Sequence, residues 1–216
     1  MKKNNTRFFV SCVVLLLPLL LGLILWDRLP ESMPIHWNAA GEVDGWSSRM
    51  TAVVWLPLLL LGVHVLCLVI TQLDPRNKDQ SHKVIGLLFW LCPLLSLVIG
   101  AITYIQAFGL LILGVNEIML LFMGLIFTLL GNYLPKCRRN YTIGIKVPWA
   151  LDDDDNWDAT HRFAGRLWVI GGLLIMALAL LPWRTLASVL MLIILAIMCL
   201  GSVLYSYLYY RKHRSI

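Results

Sequence analysis

Long apolar runs alternate with short polar blocks along this chain. The first run extends from Phe8 to Trp26 and the second from about Thr51 to Ile70. A nearly continuous apolar block from Val84 to Leu134 holds two helices with a tight turn near Gly109–Asn116. Two further runs cover Phe163–Leu181 and Leu186–Tyr207, separated at Pro182 and Arg184. A bilayer core takes about 20 predominantly apolar residues in helical form. The pattern predicts an all-α integral membrane protein with about six transmembrane helices. Pro18, Pro57 and Pro93 fall inside these runs, where neighbouring helices can satisfy the freed backbone groups. The first run follows Lys2, Lys3 and Arg7, as a signal peptide would. It is longer than an h-region of roughly 7–15 residues and lacks a small-residue cleavage site, so it reads as a retained helix.

Charge gives the runs a direction. The blocks before the first run, between the second and third, between the fourth and fifth, and after the sixth carry Lys2, Lys3, Arg7; Arg76, Lys78, Lys83; Lys136, Arg138, Arg139, Lys146, Arg162, Arg166; and Arg211, Lys212, Arg214. The opposite side carries Arg28, Arg49 and Arg184. Fifteen cations against three predict both termini in the cytoplasm. The formal net charge of +6 alone would suggest nucleic acid. Its confinement to these blocks instead predicts a membrane protein with no direct nucleic-acid binding. Composition agrees: 59% of residues are hydrophobic and 14% charged, with mean hydropathy +0.77, against about 25% charged in a soluble domain. Four of the five cysteines lie in apolar runs and none is spaced as a metal ligand, so they read as small apolar residues. A single membrane domain is expected over 1–216, with an outer cap at 27–50 and, at 131–166, a cytoplasmic signature segment that reads as a re-entrant or surface-lying element plus a helix.

Those two connections are richer than linkers. In the outer one, DRLPESMPIHWNAAGEVDGWSSRM, Pro30 and Pro34 favour extended backbone, and Ile35, Trp37 and Val43 alternate with polar residues. Gly41 and Gly45 mark turns, and Asp44-Gly45 is a favourable hairpin pair. A small ordered cap of two short strands is expected, with Trp37 and Trp46 at the headgroups. His36, Asn38 and Asp44 read first as structural hydrogen-bonding residues and second as polar-ligand residues, and with Trp37 and Trp46 they are the candidates for contact with an outer ligand or partner. One histidine with scattered oxygens is a poor metal set, and no metal or cofactor is assigned.

In the inner connection Pro135 ends the fourth helix. Tyr141, Ile143, Ile145 and Val147 then alternate with Thr142, Gly144 and Lys146 as an amphipathic extended stretch closed by Pro148, with Trp149 at the interface. Asp152–Asp155 can cap the following helix. In it Asp158 and Arg162 are spaced i, i+4, and Trp157 and His161 share a face. His161 reads first as a hydrogen-bonded structural histidine, and second as a pH-sensing or partner-contacting group. The chain has no phosphate loop, HExxH or GxSxG motif, and a non-enzymatic protein is expected. At span centres the sole ionisable residue is His64, which reads as bonded to a neighbouring helix rather than as a proton relay.

The inner segment GNYLPKCRRNYTIGIKVPWALDDDDNWDATHRFAG resembles the signature of the SdpI family. The matching residues are Gly131, Asn132, Pro135, Lys136, Asn140, Tyr141, Gly144, Ile145, Pro148, Trp149, Leu151, Trp157, Thr160, His161 and Arg162. The outer stretch MPIHWNAAGEVDGW is similar to the domain of unknown function that usually precedes that signature, through Pro34, His36, Trp37, Asn38, Gly41, Asp44, Gly45 and Trp46. Lys146 stands where the family favours Arg, Val147 and Ala150 where it favours Thr, and Asp152–Asp155 where it is less acidic. Lys cannot make the bidentate contact of Arg. The resemblance implies a bacterial cell-membrane protein giving immunity to a secreted antimicrobial peptide. It also implies signal transduction, with a small DNA-binding repressor held at the cytoplasmic face. Two other functions are weighed: a passive lipid or peptide transporter or flippase, with a polar cavity near His64, and an inner-face enzyme around His161 and Asp158.

Overall fold

In the computed structural model, which describes residues 2–110 and 114–213, helices dominate. The elements are α1 (Lys2–Leu15), α2 (Leu17–Ile24), β1 (Ser32–Trp37), β2 (Val43–Ser48), α3 (Leu56–Leu73), α4 (His82–Ala107), α5 (Val115–Tyr133), α6 (Pro148–Asp152), α7 (Asp154–Leu178) and α8 (Arg184–His213). Among the described residues six helical stretches are long and apolar enough to cross a membrane: Asn5–Ile24, Thr51–Leu73, His82–Ala107, Val115–Lys136, Asp154–Leu178 and Arg184–His213. The expected six-helix membrane fold is therefore the observed one. The expected turn at 109–116 lies partly outside the described residues, as does Arg214.

The chain divides into two compact units. One comprises Met1–Ile70 and Ile85–Val115. Its first span breaks at Leu16, just before Pro18. Proline has no N–H for the carbonyl one turn back, and α4 supplies hydroxyls to the backbone on either side of the break. Ser96 Oγ donates to Leu15 O at 2.8 Å, and Tyr104 Oη to Pro18 O at 2.7 Å. His64 of α3 is 1% exposed and its Nε2 lies 2.9 Å from Ser11 Oγ of α1, as expected for an interhelical structural histidine. Leu29, Met33, Ala52, Val53 and Tyr104 form a core beneath the hairpin.

The other unit comprises Thr71–Val84 and Asn116–Ile216. Here α5 packs on α7 backbone to backbone. A Cβ on Gly124 would strike Gly172 O, and one on Gly131 would strike Gly165 O. Each pair is seven residues apart in its own helix, so the glycines line one seam of close approach. Between α7 and α8, Asn156 Oδ1 accepts from Thr160 Oγ1 at 2.9 Å and Ser206 Oγ at 2.8 Å, while its Nδ2 donates to Ser206 O at 3.1 Å. All three residues are buried and their polar groups matched, which is the condition for placing them there without penalty.

Candidate functional site

The inner segment is a knot of side chain-to-backbone hydrogen bonds, not the amphipathic extended stretch its alternation suggests. Residues 138–147 contain no strand. The cause is Asn140, which is fully buried. Its Oδ1 accepts from the N–H groups of Thr142 (2.8 Å) and Ile143 (2.6 Å), and its Nδ2 donates to the carbonyls of Arg138 (2.8 Å) and Ile143 (2.9 Å). Both donors and two acceptor sites of one amide are used on local backbone. This curls the chain and outcompetes strand geometry.

The curl rests on α7. Trp157 is fully buried, and its Nε1 donates to Cys137 O at 2.8 Å. His161, one turn later, stacks on the indole with centroids 4.0 Å apart and planes 23° apart. The backbone N–H of Ile145 donates to His161 Nε2 at 3.0 Å. Nε2 must therefore be the accepting nitrogen, so Nδ1 carries the proton and donates to Trp157 O at 2.8 Å. Between them Gly144 adopts φ +106°, and a Cβ there would strike His161 Nε2. Only glycine meets both demands.

A third layer comes from residues 71–84, a short connection that carries no long motif. Asp74 caps the turn Pro75–Asp79, accepting Arg76 N–H at 2.9 Å. Its other oxygen accepts the N–H of Tyr141 at 2.7 Å and the hydroxyl of Thr142 at 3.1 Å. Asn77 Nδ2 donates to Thr142 Oγ1 at 2.8 Å. Gln80 brackets Arg138, accepting its N–H and donating to its carbonyl, both at 3.0 Å. Arg76 lies 4.2 Å over the Tyr141 ring. Asp74-Pro75, a capping residue before a helix-starting proline, is the local sequence signal.

Around the Asn140 curl, Cys137 is buried beside Val84, Ala150 and Trp157. Burial pushes its thiol up to about 11, against hydrogen bonds from Asn140 and Gln80 that act in the opposite sense. Asp153 caps α7 through Asp155 N–H at 3.0 Å, as its position suggests. Arg139 joins Leu151 O at 2.8 Å and Asp154 at 2.6 Å. The other signature residues sit at the rim. Asn132 and Pro148 are exposed, and Pro135 packs against Gly165. Lys146 Nζ donates singly to Thr142 O at 3.1 Å. The exposed Arg162 pairs loosely with Asp158 at 3.9 Å. Trp149 contacts Tyr207 and Tyr210.

The outer connection holds the two expected antiparallel strands, with Ser32 opposite Ser48 and Trp37 opposite Val43. The turn, however, is not at Asp44-Gly45. Asn38 Oδ1 accepts from the N–H groups of Ala40 (2.9 Å) and Glu42 (3.0 Å), and Gly41 takes φ +79°. Asn38 thus closes the loop at 38–42, leaving Asp44 and Gly45 within β2. Gly45 faces His36, whose Cβ would collide with a side chain there. His36 Nδ1 and Asp44 Oδ1 are 2.6 Å apart and largely exposed. Trp37 Nε1 donates to Gln106 at 2.6 Å, tying the hairpin to α4, while Trp46 is 60% exposed. No group of three or more His, Cys, Asp and Glu placed to hold a metal occurs among the described residues.

Residues 136–206, which include most of this knot and its α7–α8 support, match the SdpI/YfhL protein family. Residues 13–61 match a domain of unknown function, DUF1648. Across 218 aligned residues the chain is 28% identical to Immunity protein SdpI of Bacillus subtilis (strain 168), covering 98% of each chain. Over residues 136–206 the chain is thus similar to the SdpI/YfhL family. With its six apolar helices it is a multi-pass bacterial membrane protein. No solved structure matches it. Most of the residues that carry the resemblance build the knot and its rim.

Proposed function

We propose that this chain is a membrane immunity protein that protects its cell from a secreted antimicrobial peptide. The observation carrying this reading is end-to-end similarity to an immunity protein, with 98% of both chains aligned. The cation bias supports an orientation with both termini in the cytoplasm, the hairpin outside and the knot inside. The hairpin region is acidic, through Asp27, Glu31, Glu42 and Asp44 against Arg28 and Arg49. With exposed Trp46 it suits a cationic, membrane-active peptide. On the inner side, Tyr141, Lys146 and Arg162 offer an exposed surface to a small DNA-binding repressor. Signalling requires the peptide to favour one of two states of the protein, and the hydrogen-bonded knot is the element we assign to that change.

Expression in a peptide-sensitive bacterium should raise survival against at least one of a panel of membrane-active peptides. Unchanged killing by every peptide would overturn the immunity reading. Orientation is tested separately: a tag between Ala39 and Glu42 should label on intact cells, and one after His213 only after permeabilisation. Replacing Tyr141 and Lys146 with alanine should release the repressor from the membrane while leaving peptide protection in place.

A further inference from the structure

The knot is held unevenly. Residues 138–143 are bonded by Asn140, Asp74, Asn77 and Gln80. Val147 is fixed at the other end, its carbonyl accepting the N–H groups of Ala150 and Leu151 at 3.0 Å each. Between these anchors the tie to α7 is the N–H of Ile145 on His161 Nε2, at 3.0 Å. We propose that His161 is a proton-sensitive latch: protonation of Nε2 releases Gly144–Lys146 from α7 while the anchors on either side stay in place. Such a latch is a property of the knot itself and does not rest on the immunity reading.

Closed, the knot admits one protonation state. Nδ1 already carries the proton it gives to Trp157 O at 2.8 Å, so a proton on Nε2 would face the Ile145 N–H, donor against donor. The ring has no room to yield. It is 1% exposed, its centroid lies 4.0 Å from that of Trp157, and a Cβ on Gly144 would strike Nε2. Turning the ring over within the stack would break both of its hydrogen bonds. A buried charge with a lost bond costs more than one backbone hydrogen bond contributes, so the strand of three residues lets go first. Gly144, at φ +106°, is the natural pivot.

The charges on the neighbouring elements do not relieve this conflict. On α7 the carboxylate that acts on the ring is Asp158, exposed and loosely paired with Arg162 at 3.9 Å; it can receive an imidazolium that turns outward. In the inner segment Lys146 donates to Thr142 O, and Cys137 is bonded to Asn140 and Gln80. In residues 71–84 Asp74 is occupied by Arg76, Tyr141 and Thr142. Among the described residues Ile145 therefore contests the Nε2 proton unaided. The closed form holds the neutral ring, and the open form titrates as an ordinary imidazole, near pH 6.5. Closure is thus at full strength above about pH 6.5 and weakens about tenfold per pH unit below it.

The test is hydrogen exchange of the Ile145 amide in the full-length chain in detergent. NMR of nitrogen-labelled isoleucine follows it, with protection expressed against the free-peptide rate at each pH. From pH 7.5 to pH 5.0, wild-type protection at Ile145 should fall at least about tenfold. Ile143, whose N–H is held by Asn140, should change less than about threefold. His161→Gln offers Ile145 a carbonyl that does not titrate, and its protection should stay within about threefold over the same range. His161→Phe has no acceptor; it should show weak protection at every pH, and serves if the glutamine variant does not fold. An Ile145 amide equally protected at both pH values in wild type overturns the proposal. So does a pH-dependent fall that persists in either folded variant. A fall shared by Ile143 and by buried Ile175 of α7 overturns it too, since that is unfolding of the whole unit rather than of a latch.

Discussion

Asp74 Oδ2 holds the backbone N–H of Tyr141 at 2.7 Å across 67 residues of sequence. One carboxylate thereby does two tasks, capping its own turn and fixing a distant loop. Asp74→Ala should cost about 2–4 kcal/mol, because three donors lose a charged acceptor. Asp74→Asn should recover part of that loss through the cap. Thermal unfolding in detergent measures the cost. Hydrogen exchange should locate it at Tyr141–Ile145 and not at the hairpin.

Gly144→Ala meets two obstacles together, a left-handed φ and the imidazole of His161. A loss of at least about 2 kcal/mol is expected. A glycine-to-alanine change at exposed, unhindered Gly62 should be neutral or mildly stabilising, which makes it the control for the same thermal measurement.

His161→Phe keeps an aromatic ring on Trp157 but removes the acceptor for Ile145 N–H. A penalty of about 1–3 kcal/mol is expected for the orphaned donor. In wild type, nitrogen NMR of the labelled imidazole should report the Nδ1–H tautomer. Finding the Nε2–H tautomer would remove the Ile145 latch from this account. An inner-face enzyme using His161 would need a free nitrogen, and both are committed here.

Cys137 gives the pH-dependent prediction. Its folded pKa of about 11 lies above the ordinary thiol value of 9.0, so folding favours the neutral thiol. That contribution is whole below about pH 9 and is lost as pH rises through about 11. In a variant with the other four cysteines replaced, maleimide labelling at pH 7.5 should be slow while folded and fast once denatured. Rapid labelling of the folded protein would mean the thiol is neither buried nor depleted of thiolate.

The α5–α7 seam is tested by Gly172→Leu. Its side chain would enter the Gly124 carbonyl and Thr128, and the helices would have to separate. Loss of folded protein in size-exclusion chromatography is expected. Gly62→Leu, which faces nothing within 4 Å, should elute as wild type.

Apolar length alone located the six helices, because a bilayer permits few ways of spanning it. The residues of the inner segment were equally legible as a unit, from Asn140 through Arg162. Their shape was not. A period of two reads as a strand only if the backbone is free to form a ladder, and Asn140 spends its amide on the intervening peptides. The hairpin shows a similar competition. Asp44-Gly45 and Asn38–Gly41 are both credible turns, and the second prevails because Asn38 captures two N–H groups of its own loop. Gly45 is needed for room beside His36, not for turning. The cradle of Asp74, Asn77 and Gln80 is not legible in the same way, because polar side chains in a short loop look the same whether water or another loop receives them.

The Asp74–Gln80 cradle also bears on how the chain is made. Its three side chains leave the ribosome some sixty residues ahead of the backbone they are shaped to hold. At about 5–20 residues per second, they wait about 3 to 13 seconds for Arg138–Thr142 to arrive. For that interval Asp74, Asn77 and Gln80 keep only the partners of their own loop, Arg76, Thr71 and Ser81. The arrival of Arg138–Thr142 closes this window, so a product truncated before them lacks the distant partner of all three side chains.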